Sequence, residues 1–164
     1  MRMRKILVMG LPGAGKTTLA ITLAPLLNAV VFNADAVRAN ISRDLGFGHD
    51  DRVEHARRMG WICDRVAEAG GTVIADFICP TEETRAAFGD AFTIWLDRIS
   101  VSRFEDTNRM FVAPTRFDLR VSAEGTPQYW AEQALARLRP SFDPQKPTAL
   151  SARSPTPGRK GMVR

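Results

Sequence analysis

At 164 residues, with 45% hydrophobic and 25% charged residues, the chain has the size and balance of one globular domain with a sizeable core. No apolar run approaches the roughly 18 residues of a membrane span, and two cysteines without metal-type spacing, Cys63 and Cys79, leave reduced thiols in a cytoplasmic protein as the expectation. The net charge of +5 sits mainly at the far end, where Arg153, Arg159, Lys160 and Arg164 stand without an acid, so neither a nucleic acid nor a membrane is expected as partner.

Met1 to Arg4 is basic, but the apolar run behind it, Lys5-Ile6-Leu7-Val8-Met9, is too short for a signal peptide and reads as a first strand. It enters Gly10-Leu11-Pro12-Gly13-Ala14-Gly15-Lys16-Thr17, a full match to the P-loop pattern. Glycines there let successive N–H groups turn inward as an anion nest, and a helix beginning near Lys16 and Thr18 adds the positive end of its dipole. In this pattern Lys16 reaches the β- and γ-phosphates and Thr17 ligates Mg²⁺. The expected cofactors are therefore ATP and Mg²⁺, held by residues 10–18.

The helix is expected to end where Pro25 to Asn28 interrupt it. Residues 29–33 read as a second strand, with Asp35 just past its carboxyl end, where open α/β sheets place ligands. A helical stretch with Arg38 and a loop at residues 44–48 follow. A long helix is expected from about Asp50 to Ala69, with Gly60 a weak point, and Gly70-Gly71 stops it. Residues 72–77 read as a buried strand, Thr81 as the cap of a helix through Phe88, and residues 92–96 as a fourth strand. Ser102 to Met110 is expected to be helical, residues 117–121 a fifth strand, and Thr126-Pro127 the start of a last helix to about Leu138. Strands alternating with helices imply a three-layer α/β/α P-loop fold with a mostly parallel sheet of about five strands. Residues 1–139 are expected to form this domain. Residues 140–164, with Pro140, Pro144, Pro147, Pro155 and Pro157, read as a disordered basic tail, or as the mark of a chain cut short or frameshifted.

Several short strings carry a resemblance in the same order: Asp44-Leu45-Gly46-Phe47, Asp51-Arg52-Val53-Glu54, Arg57-Arg58 and Phe77-Ile78-Cys79-Pro80. Together with the P-loop they resemble the adenylylsulfate (APS) kinases over roughly residues 4 to 97. That resemblance implies transfer of the γ-phosphoryl of MgATP to the 3′-hydroxyl of adenylylsulfate. It implies Asp35 as metal ligand or base, and Arg38 and Arg52 as holders of the phosphosulfate, a task that suits guanidinium forks. It implies Phe47 as a stacking platform for adenine, with Ile78 beside it.

The chain also departs from the family pattern. Asn33 stands at the family's first aspartate, His55 at an asparagine and Cys79 at a serine. His55 is taken as a further substrate-binding residue, and Cys79 as a small buried residue. The family's lysine-rich lid is replaced by residues 102–111, where Arg103 or Arg109 is expected to neutralise the moving phosphoryl group. The altered lid leaves a kinase for another hydroxyl, or a nucleotide-binding module without turnover, as alternatives. A homodimer is left open.

Overall fold

The computed structural model describes residues 4–139, so the expected tail lies outside the described residues. Five strands, β1 (Lys5–Gly10), β2 (Ala29–Asn33), β3 (Thr72–Asp76), β4 (Phe92–Leu96) and β5 (Leu119–Val121), form one sheet in the order β2-β3-β1-β4-β5. Every pairing is parallel. Six helices connect them: α1 (Lys16–Leu27), α2 (Ala34–Asn40), α3 (His49–Glu68), α4 (Glu82–Phe88), α5 (Glu105–Met110) and α6 (Pro127–Leu138).

Because β1 is central, it is buried along its whole length and its residues alternate between two cores. Ile6 and Val8 pack with Leu19 and Leu23 of α1 and with Leu138 of α6, whereas Leu7 and Met9 pack with Met59 of α3 and Phe88 of α4. All five strands point their carboxyl ends at the same edge. Beside β1 the chain switches sides, with β3 on one flank and β4 on the other. That is the position where a doubly wound sheet opens a crevice.

Four local expectations needed correcting. α1 runs through Pro25 to Leu27, because a proline in the last turn forfeits only its own N–H bond; the stop is left-handed Asn28 (φ 49°), whose N–H returns to Ala24 and Pro25 carbonyls. Gly60 does not weaken α3. A Cβ there would lie 2.3 Å from the Phe88 carbonyl oxygen, so glycine lets α3 and α4 touch backbone to backbone. β5 starts at Leu119, since Asp118 spends its carboxylate on the Thr93 N–H (2.7 Å) and Phe117 packs on Trp95 at 5.4 Å. α5 is shorter than expected, because Ser102 and Asn108 bond to each other and hold the preceding residues as a turn.

Lys5 also proved more than the head of a strand. It is 5% exposed, donates to Asp64 Oδ1 (2.8 Å) and the Phe88 carbonyl (2.6 Å), and lies over the Phe88 ring. One buried ammonium thereby ties β1, α3 and α4 together.

Candidate active site

The P-loop bridges β1 and α1. Gly13 (φ 85°) and Gly15 (φ 95°) take the left-handed backbone that turns successive N–H groups the same way. α1 has Gly15 as its N-cap, with no side-chain cap and no acid in its first turn. The amides that open the helix are therefore left for an anion. Leu11 and Ala14 are buried under the loop, while Thr18 is exposed on α1 and does not line the cleft described next. Lys16 Nζ donates to the Leu11 carbonyl at 3.0 Å. Burial lowers its pKa, and the charges of Asp76 and Asp35 oppose that shift.

A cleft of about 600 Å³ opens beyond the loop, at the carboxyl ends of β1, β2 and β3. Lys16, Thr17, Asp35, Arg38, Phe47, Arg52, His55, Ile78 and Arg103 all line it. Residues far apart in sequence thus meet in one place. Asp35 is exposed in the first turn of α2, whose N-cap is Asn33, with Oδ1 accepting from the Ala36 N–H at 3.1 Å. Arg38 donates to the Gly46 carbonyl (2.6 Å) and Arg52 to the Phe47 carbonyl (2.7 Å), so the two guanidiniums brace the loop from α2 and α3. Arg38 stacks over the Phe47 ring, 4.7 Å from its centroid, yet Phe47 remains 64% exposed, an accessible aromatic side chain at the cleft wall. Arg52 also pairs with Asp106 of α5 at 3.2 Å, which links the wall to the lid.

His55 is 3% exposed. Its Nε2 donates to the Ala34 carbonyl at 3.1 Å, whereas Nδ1 has no partner. That pairing makes Nδ1 a lone-pair acceptor. Burial first, and the nearby Arg38 charge second, pull its pKa down to about 4, so the ring is neutral at pH 7.

The lid separates the two arginines. Arg103 lines the cleft and also a second hollow of about 480 Å³ bounded by Pro12, Gly13, Ile99, Val101 and Ser102. It stands at the junction of the two. Arg109 lines neither hollow: it pairs with Glu105 at 2.6 Å and its side chain is 75% exposed. Cys79 is buried in a left-handed backbone (φ 47°), and burial pushes its thiol up to about 12.

One residue of the site has no role in the sequence reading. Asp76 closes β3, is 2% exposed, and its Oδ2 accepts from Thr17 Oγ1 at 2.6 Å and from Asn33 Nδ2 at 3.0 Å. The signal was there: an acid ending a buried apolar strand, Thr72-Val73-Ile74-Ala75-Asp76, in a P-loop chain.

An all-parallel sheet with a P-loop after its central strand and a second, aromatic-walled cleft beside it defines a small P-loop kinase fold. A family model for adenylylsulphate kinases matches residues 2–102. The chain belongs to the adenylylsulfate kinase family. It is 43% identical over 82 residues to an adenylyl-sulfate kinase of Chloroflexus aurantiacus, covering 47% of this chain and 44% of that protein. It is 35% identical over 97 residues to that of Gloeothece citriformis, covering 54% and 55%. The chain therefore spans about half the length of the curated relatives it matches. The fold is shared with the Mycobacterium tuberculosis APS kinase solved with AMPPNP and APS, at a TM-score of 0.77 and 23% identity over 84% of this chain and 98% of that one.

Proposed function

We propose that this chain transfers the γ-phosphoryl of MgATP to the 3′-hydroxyl of adenylylsulfate, giving 3′-phosphoadenylylsulfate and ADP. The observation that carries the reading is the cleft wall, where the largely exposed Phe47 stands with the guanidiniums of Arg38 and Arg52 against its ring, next to the P-loop. An acceptor with a flat base and an anionic tail matches a stacking surface beside two forked cations. Relatives of the same family carry the adenylyl-sulfate kinase name, and the Mycobacterium tuberculosis structure holds APS and an ATP analogue on this fold.

In this reading the triphosphate lies on the P-loop amides, with Lys16 leaving the Leu11 carbonyl for its β- and γ-oxygens. The acceptor's 3′-oxygen forms a bond to the γ-phosphorus as the β–γ bridging bond breaks. Asp35, exposed at the head of α2, takes the hydroxyl proton. Arg103, shared by the two hollows, neutralises charge on the group in transit; Arg109 is set aside for this role because it faces outward. The barrier falls mainly through positioning and charge neutralisation.

Oxygen donors fit the implied Mg²⁺: the Thr17 hydroxyl stands at the mouth of the nest beside a carboxylate. Among the described residues no group of three or more His, Cys, Asp or Glu could hold a metal, so the Thr17 hydroxyl would hold the ion together with oxygens of the bound nucleotide and water. When bound, the ion draws charge from the β- and γ-phosphates.

ADP release measured with MgATP, with and without adenylylsulfate, tests this reading. Release that needs adenylylsulfate and is lost in Lys16→Ala is the expected result. Release with a different hydroxyl acceptor only would assign the altered lid a different substrate, and nucleotide binding without any release would make the chain a binding module.

A further inference from the structure

A buried carboxylate needs a cation or a full set of hydrogen-bond donors, because desolvating it otherwise costs several kcal/mol. Asp76 is 2% exposed, and among the described residues no Lys, Arg or His forms a salt bridge with it. Lys16 donates instead to Leu11. What Asp76 has is the Thr17 hydroxyl at 2.6 Å and the Asn33 amide at 3.0 Å, both on Oδ2. Its hydrogen-bond partners are thus neutral, and the Lys16 ammonium acts on it only through its charge, without a salt bridge, at the mouth of an anion nest.

The two neighbours are themselves constrained. Thr17 gives its only proton to Asp76, which turns the oxygen's lone pairs toward whatever enters the nest. Asn33 stands opposite Asp76 in the parallel register of β2 and β3. Its amide is fixed at both ends, Oδ1 by the Ala36 N–H and Nδ2 by Asp76. An aspartate at 33 would set two carboxylates about 3 Å apart, and like charges at that range do not both ionise. Asparagine at 33 is thus the complement of an acid at 76.

We propose that Asp76 is the carboxylate of the metal–nucleotide site, acting with the Thr17 hydroxyl, and that Asn33 is the positioning residue that orients it. The inference rests on the reading of the P-loop as a site for a metal-bound nucleoside triphosphate. It assigns the acid to β3, whereas Asp35 on α2 is left to the acceptor's proton.

The test uses Mn²⁺ and the imido analogue of ATP, which is not turned over. Calorimetry gives nucleotide affinity with Mn²⁺ and with EDTA, and the ratio is the tightening that the metal confers. Asp76→Asn is expected to cut that tightening about 10- to 100-fold, while affinity in EDTA is unchanged or improved, since a negative charge beside the phosphates is gone. The exchange Asn33→Asp with Asp76→Asn restores a carboxylate to the same pair of strands and is expected to recover most of the tightening. Wild-type tightening in Asp76→Asn, or its loss in Asp35→Asn instead, overturns the assignment. Should Asp76→Asn fail to fold, the exchange variant decides alone: tightening kept supports the proposal, tightening lost refutes it. No acceptor enters this measurement, so a failure of adenylylsulfate as substrate leaves it untouched. Intact turnover with wild-type tightening in Asp76→Asn refutes only the role of Asp76.

Discussion

Substituting Gly60 by alanine separates two opposing effects whose balance follows from the structure. Within an ordinary helix the change stabilises by about 1 kcal/mol, since alanine restricts the unfolded chain and favours the helix. Here the new Cβ meets the Phe88 carbonyl oxygen at 2.3 Å, its carbon at 3.0 Å and the Phe88 Cα at 3.1 Å, all of them backbone. Main chain cannot rotate aside as a flexible side chain can, so α3 and α4 must part. Overpacking of this kind costs about 1–3 kcal/mol. The same carbonyl accepts the buried Lys5 ammonium at 2.6 Å, and weakening a charge-assisted bond adds about 1.5–3 kcal/mol. Set against the helix gain, the net expectation is a loss of about 1.5–5 kcal/mol. Urea denaturation of Gly60→Ala beside wild type would show it as a lower midpoint at unchanged slope. Gly48, with open space where its Cβ would stand, is the control and should change stability by less than about 1 kcal/mol. An unchanged or raised midpoint for Gly60→Ala would refute the claim that α3 and α4 meet through their backbones.

Three further outcomes follow from the site. Arg103→Ala should lower kcat by at least about tenfold, whereas Arg109→Ala, which loses only an exposed pair with Glu105, should leave kcat within about twofold; steady-state kinetics on both decides it. His55 sits at about 4 when folded against 6.5 ordinarily, so the unfolded chain takes its proton first as the solution is acidified. Its contribution is therefore complete above pH 6.5 and lost as pH falls from there toward 4; denaturation midpoints at pH 7 and pH 5 should differ less in His55→Gln than in wild type. Both thiols are buried and pushed up to about 12, so a maleimide at pH 7.5 should label the folded chain slowly and the urea-unfolded chain fully.

How much of this was legible in the sequence depended on how local the determining physics was. The P-loop, the central strand and the Thr81 and Thr126 caps are written in contiguous residues, and each appears where the pattern put it. Phe47, Arg52 and Ile78, which lie in three of the strings that resemble one family, line one cleft together with Arg38. Which lid arginine faces the cleft was not legible, since Arg103 stands in the turn before α5 and Arg109 in its last turn, and packing against distant residues decides where each one points. Gly60 looked like a flaw because its reason lies on another helix. Lys5 and Asp76 passed as the ends of apolar runs. Their meaning comes from Asp64, Phe88, Thr17 and Asn33, which only the folded chain brings to them. Asn33, in turn, looked like a lost acid until its partner across the strand was in view.

The most direct measurement of the central claim is identification of the product after incubation with MgATP and adenylylsulfate, by ³¹P NMR, beside a reaction with 3′-deoxy-adenylylsulfate. A new phosphomonoester resonance coupled to the 3′ position, stoichiometric with ADP and missing with the deoxy analogue, is the expected result. ADP formed equally with both acceptors, or a phosphate found elsewhere on the product, would contradict transfer to the 3′-hydroxyl.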